Sequence, residues 1–367
     1  MKKNEKTCLP AGRKKAALYD PYLDVMGGGE KHILSILKAL EEKGYEIHIF
    51  WDENVDEKMR EILDVHFSNK VVYHPNIFKQ TSSFFNKYFL IRDFDLFFYM
   101  TDGSYFFSSA KRTYVFAMVP DKKLYDMNFI NRLKTSMFQF ISNSRFTQNH
   151  LEKWGIKSSV IYPYIDDDNN IVPKEKTILT IGRFFKHLHS KRQDIAIKTF
   201  QELKKNSMFQ DYTLILAGGL KQEDKSYVQE LQQLAGNDSS IIFKTNVSHD
   251  ELLNLYKTSQ FYWHFAGYGI DEEDHPELVE HLGVSPLEAM MHGCVTFCYG
   301  AGGPKEIIRH GQNGFLFKNT TELLEMMNSI VTKQDLREKV INQARNFVRA
   351  NFSYETFKKN VIRELSL

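Results

Sequence analysis

Short apolar runs alternate with amphipathic stretches along most of the chain, a pattern that predicts parallel strands joined by crossover helices. In the first half, runs at 16–19, 46–51, 71–73, 96–99, 113–117, 138–141 and 159–161 read as strands. Helical periodicity occupies 29–43, 55–64, 83–92, 128–136 and 145–154. In the first of these, Ile33, Leu34, Ile36, Leu37 and Leu40 share one face, and Gly44 stops the helix. From Pro163 to Pro173 the chain is polar, acidic and bounded by prolines, as an interdomain linker is.

A second series follows, with strands at 177–181, 213–217, 241–243, 261–265, 295–298 and 315–317 and helices at 192–205, 225–234, 249–258, 286–292 and 322–331. The end, 334–350 and 353–367, is helical with Ser353 as a cap, and no strand follows, so this tail must dock on something already built. The expectation is an α/β protein of two βαβ domains facing a central cleft, 1–165 and 174–350, with 351–367 as a closing helix. Ligands of such sheets bind outside the carboxyl ends of the strands.

A length of 367 residues suits two domains, and 42% apolar with 26% charged residues is ordinary globular composition. The net charge of +2 gives no field for nucleic acid. Lys2, Lys3, Lys6, Arg13, Lys14 and Lys15 form a basic stretch, read as a solvated tail with a membrane surface as the alternative. No apolar run is long enough to span a bilayer, and no signal-peptide core precedes the first strand. Cys8, Cys294 and Cys298 lack metal spacing, and the last two flank a strand as buried small hydrophobes. The expected location is the cytoplasm.

The richest stretch runs from Glu280 through Gly283, Val284, Ser285 and Pro286 to Glu288, followed by Gly300-Ala301-Gly302-Gly303-Pro304. Glu280 should lie in a loop and Glu288 in the first turn of the helix Pro286 starts, both aimed into one cavity beside the glycine loop. Gly27-Gly28-Gly29 after the first strand suits backbone approach to an anion, with a tight turn as the lesser alternative. At the start of the second half, Gly182-Arg183 follows the strand and Lys191 opens the next helix, a guanidinium and an ammonium suited to a diphosphate.

Two metal-like runs read differently: Asp93-Phe94-Asp95 as a strand-entry turn, and Asp271-Glu272-Glu273-Asp274-His275 as a polar loop. His249, His264 and His281 read as structural hydrogen-bonders. No hydrolase elbow, zinc-protease pair or Walker loop occurs.

In this order Gly27-Gly28-Gly29-Glu30, Asn143-Ser144-Arg145-Phe146-Thr147, Ile161-Tyr162-Pro163, Gly182-Arg183 with Lys191, the Glu280–Glu288 spacing, and Gly302-Gly303 with Glu306 and Gly311-Gln312-Asn313-Gly314 make the chain resemble the retaining GT-B glycosyltransferases of family 4, the group 1 proteins. The resemblance implies a GT-B fold whose last helix crosses back onto the first domain. It implies that Glu280 faces the donor sugar, Glu288 holds ribose, Arg183 and Lys191 neutralise the diphosphate, and Gly27–Gly29 approach phosphates and acceptor. It further implies that amides around Gly302 and Gly303 hold sugar hydroxyls, beside Gly182, Gly283, Val284 and Ser285 on the donor. Where many members carry a His before a Pro, Met118 stands in its place, with Asp121 as the substitute contact.

The expected activity is transfer of a sugar from a nucleotide-diphosphate sugar to a glycan or lipid-linked acceptor, with retention inherited from the family. No cofactor or metal is called for, because cations at the leaving diphosphate supply the main stabilisation. No second carboxylate is placed as a covalent nucleophile, which favours a front-face route. The alternatives are a non-catalytic nucleotide-sugar binding protein and an NAD-dependent oxidoreductase, the latter lacking its G-x-G-x-x-G. The aromatic region from Phe78 to Tyr99, including Phe84, Phe85, Tyr88 and Phe89, is read as core with a lipid- or sugar-facing option.

Overall fold

The computed structural model describes residues 12–78, 84–168, 170, 172–186 and 190–367, the side chains of 84–86 excepted. Cys8, Lys2, Lys3, Lys6, His187, His189 and the side chains of Phe84 and Phe85 lie outside the described residues.

The first sheet has seven strands: β1 (Lys15–Tyr19), β2 (Glu46–Phe50), β3 (Val72–His74), β4 (Leu96–Met100), β5 (Arg112–Ala117), β6 (Phe138–Ser142) and β7 (Ser158–Val160). Between them run α1 (Gly28–Glu41), α2 (Asp56–Leu63), α3 (Phe84–Ile91), α4 (Phe129–Thr135) and α5 (Arg145–Lys153). The second sheet has six: β8 (Glu175–Ile181), β9 (Thr213–Gly218), β10 (Ile241–Thr245), β11 (Ser259–His264), β12 (Val295–Tyr299) and β13 (Phe315–Phe317). Its helices are α6 (Gln193–Leu203), α7 (Lys225–Ala235), α8 (His249–Thr258), α9 (Val284–Met291), α10 (Pro304–Ile307) and α11 (Thr320–Val331), followed by α12 (Gln334–Phe352) and α13 (Tyr354–Glu364).

The orders are β3-β2-β1-β4-β5-β6-β7 and β10-β9-β8-β11-β12-β13. Every pair in the second sheet is parallel. Each order reverses beside its first strand, between β1 and β4 and between β8 and β11, which is where doubly wound sheets bind ligands. By internal packing one compact unit runs to Phe116 and takes in Asp126–Ile141, and the other comprises Ala117–Tyr125 and Ser142–Leu367.

The second sheet is covered on both faces, so the central stretches of its strands are near-continuous apolar runs rather than strict apolar–polar alternations. Ile178, Leu214, Phe261, Trp263 and Phe297 pack with Phe200 of α6 and Leu231 of α7 on one face. Leu179, Ile215 and Tyr262 pack with Tyr256 of α8 and Ala289 of α9 on the other. Residues two apart on a strand share a face, so Tyr262 and His264 both point toward α9.

Helix α9 starts two residues earlier than expected. Gly283 is its N-cap with φ +105°, and Pro286 occupies the third helical position, where a missing N–H is harmless because first-turn donors lack intrahelical partners. Glu288 therefore sits in the second turn. Pro304 opens α10, a short helix where a loop was expected. The tail docks on its own unit: α12 packs Ala344, Val348 and Phe352 against Leu287, Met290 and Met291. The Ile165 amide donates to Phe352 O at 2.8 Å, and Tyr164 meets the rings of Tyr354 and Phe357 on α13.

Candidate active site

At the end of β8 the backbone turns through Gly182, and the stem of Lys191 crosses directly over it. A Cβ at Gly182 would lie 2.2 Å from Lys191 Cγ, so only glycine lets the lysine pass. The turn is held from below by buried Gln193, whose Nε2 donates to the carbonyls of Gly182 (3.3 Å) and Arg183 (3.1 Å). Tyr227 OH donates to its Oε1 at 3.2 Å.

Lys191 Nζ reaches Glu280 at 2.5 Å, and both side chains are largely buried, 17% and 15% exposed. The imidazole of His264, at the end of neighbouring β11, lies with Nε2 2.9 Å from the same carboxylate oxygen. Burial pushes the Glu280 carboxyl upward, but Lys191 and His264 outweigh it and hold the group well below the usual carboxylate range. Burial lowers His264 despite its acidic neighbour, so the ring is neutral and donates Nε2–H to an ionised, acceptor-only carboxylate. That tautomer turns the bare Nδ1 toward Tyr262 OH, 3.5 Å away, which donates to Ser285 Oγ at 2.9 Å.

The glycine loop after β12 locks Glu280 in place. A Cβ at Gly302 (φ +64°) would lie 2.1 Å from the Glu280 carbonyl oxygen, and one at Gly303 would lie 2.2 Å from Leu282 Cα. Gly303 N–H donates to Glu280 O at 2.8 Å, and Gly302 N–H donates to Glu272 Oε2 at 2.5 Å. These two amides, expected to hold sugar hydroxyls, are thus engaged by protein acceptors, and the glycines serve close backbone approach. Glu272, read as part of a polar loop, also pairs with Lys305. Glu306 accepts from the amides of Arg145 and Phe146 at the start of α5, each at 3.1 Å, and from Tyr162 OH at 2.8 Å. A cavity of about 600 Å³ opens here, lined by Gly302, Lys305, Glu306, Glu272, Arg145 and Phe146.

Glu288 accepts from the buried Tyr256 OH at 2.8 Å. Arg183 is exposed, with its guanidinium 5.1 Å from the Phe185 ring centroid and no ion pair among the described residues. The structure therefore brings Glu280, Lys191, Gly182, Gly302 and Gly303 together, and adds His264, Gln193 and Glu272.

Met118 O accepts from Thr147 Oγ1 at 3.5 Å, and Asp121 Oδ1 accepts from the Lys123 amide at 2.9 Å, capping a 3-10 turn. In the first unit Gly27 is the N-cap of α1, and its amide donates to Glu30 Oε2 at 2.6 Å. Gly28 opens onto free space. Beside this turn Asp20, at the end of β1, is fully buried; Oδ1 accepts from the Tyr22 amide at 2.8 Å while Oδ2 has no hydrogen-bond partner among the described residues. Burial first, then the charge of Glu30, push Asp20 up to about 8. Asp95 accepts from Lys15 N at 2.8 Å and pairs with Lys111 at 2.6 Å, a strand-entry role.

Residues 163–347 match the profile of the family described as Glycosyl transferases group 1. The chain is 25% identical over 243 residues to the GDP-Man:Man(3)GlcNAc(2)-PP-Dol alpha-1,2-mannosyltransferase of Dictyostelium discoideum, covering 59% of this chain and 45% of the relative. To the protein of the same description from Mus musculus it is 29% identical over 209 residues (52% and 40%), and to the human alpha-1,3/1,6-mannosyltransferase ALG2 25% over 217 residues (56% and 48%). The chain spans about half the length of these curated relatives. Among solved structures, a Rickettsia africae glycosyltransferase has a TM-score of 0.72 at 16% identity, covering 97% of this chain and 99% of the other. Anabaena HepE in complex with UDP and glucose has a TM-score of 0.69 at 17% identity, covering 97% and 100%. These likenesses show that the fold is GT-B.

Proposed function

The chain belongs to the group 1 glycosyl transferases, and from that premise we propose that it moves a sugar from a nucleotide-diphosphate sugar to a hydroxyl of a glycan or lipid-linked glycan, with retention. The observation that carries this reading is the Lys191 ammonium held 2.5 Å from the Glu280 carboxylate at the switch point of the second sheet. Glycosyl transfer builds positive charge at the anomeric carbon and negative charge on the departing diphosphate. A cation fixed in advance stabilises the second without reorganisation, and an ionised carboxylate beside it faces the first.

In this reading Lys191 meets the diphosphate, Arg183 closes on its outer oxygens, and the start of α9 at Gly283, Val284 and Ser285 turns its amides toward phosphate. Glu288 accepts from the ribose hydroxyls, and Gly27–Gly29 face the acceptor side. The leaving phosphate oxygen takes the acceptor proton on the same face of the sugar, which preserves the anomeric configuration. No metal or cofactor enters the step, because the two side-chain cations supply the charge. The relatives named for GDP-Man and PP-Dol glycans favour GDP-mannose as donor and a lipid-linked acceptor, and we place the enzyme in the cytoplasm, at the inner face of a membrane.

Release of nucleoside diphosphate from GDP-, UDP- and ADP-sugars, with and without chelator, tests this directly. Turnover with GDP-mannose that chelator leaves unchanged is the expected result. A chain that binds donor and never transfers would overturn the enzyme in favour of a nucleotide-sugar binding protein, and strong chelator inhibition would overturn the metal-free step.

A further inference from the structure

Helix α4 carries its large apolar side chains on the outside. Phe129 is 83% exposed, Ile130 60%, Leu133 56%, and Met137 in the following turn 85%. On a helix of 3.6 residues per turn, positions 129, 130 and 133 fall in one sector about 100° wide, and Arg132 and Lys134 flank it on either side. Only Thr135 of this helix is buried, so the apolar sector is not what holds α4 to its sheet. No acidic residue occurs within α4; the exposed Asp126 lies ahead of it, hydrogen-bonded to Asn128 Nδ2 at 3.2 Å.

A second exposed apolar set lies on α3, where Tyr88 is 39%, Phe89 60% and Leu90 42% exposed beside Lys87 and Arg92. The crossovers β3–α3–β4 and β5–α4–β6 run in the same direction across the sheet order, opposite to those carrying α1 and α2. Right-handed connection therefore puts α3 and α4 on one face and α1 and α2 on the other.

We propose that this face of the first unit, led by Phe129, Ile130, Leu133 and Met137, docks on an anionic lipid surface, with Arg132 and Lys134 meeting the headgroups. An apolar stripe edged by cations is the chemistry of a helix lying in a membrane interface. A second copy fits less well. A two-fold contact would bring Arg132 and Lys134 against their own counterparts, and a seven-residue helix about 10 Å long offers far less than the ~800 Å² per partner of a stable interface.

The inference rests on the exposed face and not on the transfer reaction, so vesicle binding is read without turnover and the two fail separately. The full chain is sedimented with vesicles of phosphatidylcholine alone and with phosphatidylglycerol added. Wild type should bind the anionic vesicles, and Phe129→Ser with Leu133→Ser, or Arg132→Glu with Lys134→Glu, should each weaken that binding about tenfold or more. Circular dichroism checks that the variants fold. Independently of them, Met137→Trp should blue-shift its added emission on anionic vesicles. Wild type that stays in the supernatant, variants that bind as wild type does, or an unshifted Met137→Trp would each overturn the proposal. So would vesicle-independent self-association that Phe129→Ser with Leu133→Ser abolishes.

Discussion

The turns after β1 and after β8 occupy the same place in two sheets whose first six strands follow one order, yet their electrostatics are opposite. At the turn after β8 the carboxylate of Glu280, which arrives from the segment between β11 and α9, has Lys191 and His264 against it and is held well below the usual range. After β1 the buried carboxyl of Asp20 has Glu30 for a neighbour and is pushed up to about 8. Burial raises both groups; the sign of the nearest charge decides the outcome. The backbone geometry of a βα turn thus leaves its chemistry open. A lysine stem crossing Gly182 makes one turn cationic, while in the other a glutamate folded back onto Gly27 keeps it acidic.

The largest expected effect comes from removing the charge that separates the two turns. Lys191→Ala should lower turnover about 10²–10³-fold, and, by leaving Glu280 buried without its cation, should destabilise the fold by about 3 kcal/mol in denaturant titration. Combining it with Glu280→Gln should restore most of the stability and none of the turnover. A double variant with recovered activity would mean that the pair is structural only.

Gly182→Ala tests the same turn through shape. Its Cβ would displace Lys191, lowering activity about tenfold and stability by roughly 1–3 kcal/mol; an unchanged protein would show that the lysine reaches Glu280 by another path.

The first turn is tested by pH. Asp20 has a folded value of about 8 against an ordinary 3.8, so the folded state holds its proton more tightly than the unfolded chain. The stability this contributes is fully present below about pH 4 and is lost as pH rises through about 8. Asp20→Asn should flatten that decline, so that its stability relative to wild type rises by roughly 4 kcal/mol between pH 5 and pH 9. Parallel unfolding curves at both pH values would contradict a buried protonated carboxyl. The smallest change should come from Tyr256→Phe, which removes the hydroxyl on Glu288: about 1 kcal/mol of stability and a rise of about two- to threefold in donor KM, with kcat unchanged.

Much of the scaffold was legible because local periodicity encodes it. Each of the thirteen strands lies where an apolar run predicted it, within two residues at either end. Lys191 and the glycines are visible in the sequence as residue types behind strand ends, and Glu280 as a loop carboxylate ahead of a helix. Their partners were less so. His264 read as a lone structural histidine because nothing near it in sequence says that β11 lies beside β8; the available signal was its i, i+2 relation to Tyr262 on the α9 face. Gln193 and Glu272 act through backbone groups of distant loops, which leave no trace in spacing. For α9 the sequence points to Pro286 as the first helical residue, whereas Gly283 with φ +105° begins the helix earlier. For the glycines at 302 and 303 the sequence suggests ligand contact, and the structure adds the close approach of the 280–282 backbone, which no spacing encodes.

The pairing of Lys191 with Glu280 spans 89 residues, and its partner strand β11 zips directly onto β8 across a similar stretch of chain. During synthesis the lysine emerges well before its carboxylate, so the second sheet begins to assemble with a lone ammonium at its ligand-binding edge. Closing such long loops is slow relative to local helix formation. On the proposed function, competence for the donor is therefore a late event in the folding of the second unit, gained only when β11 and the segment behind it have joined the sheet.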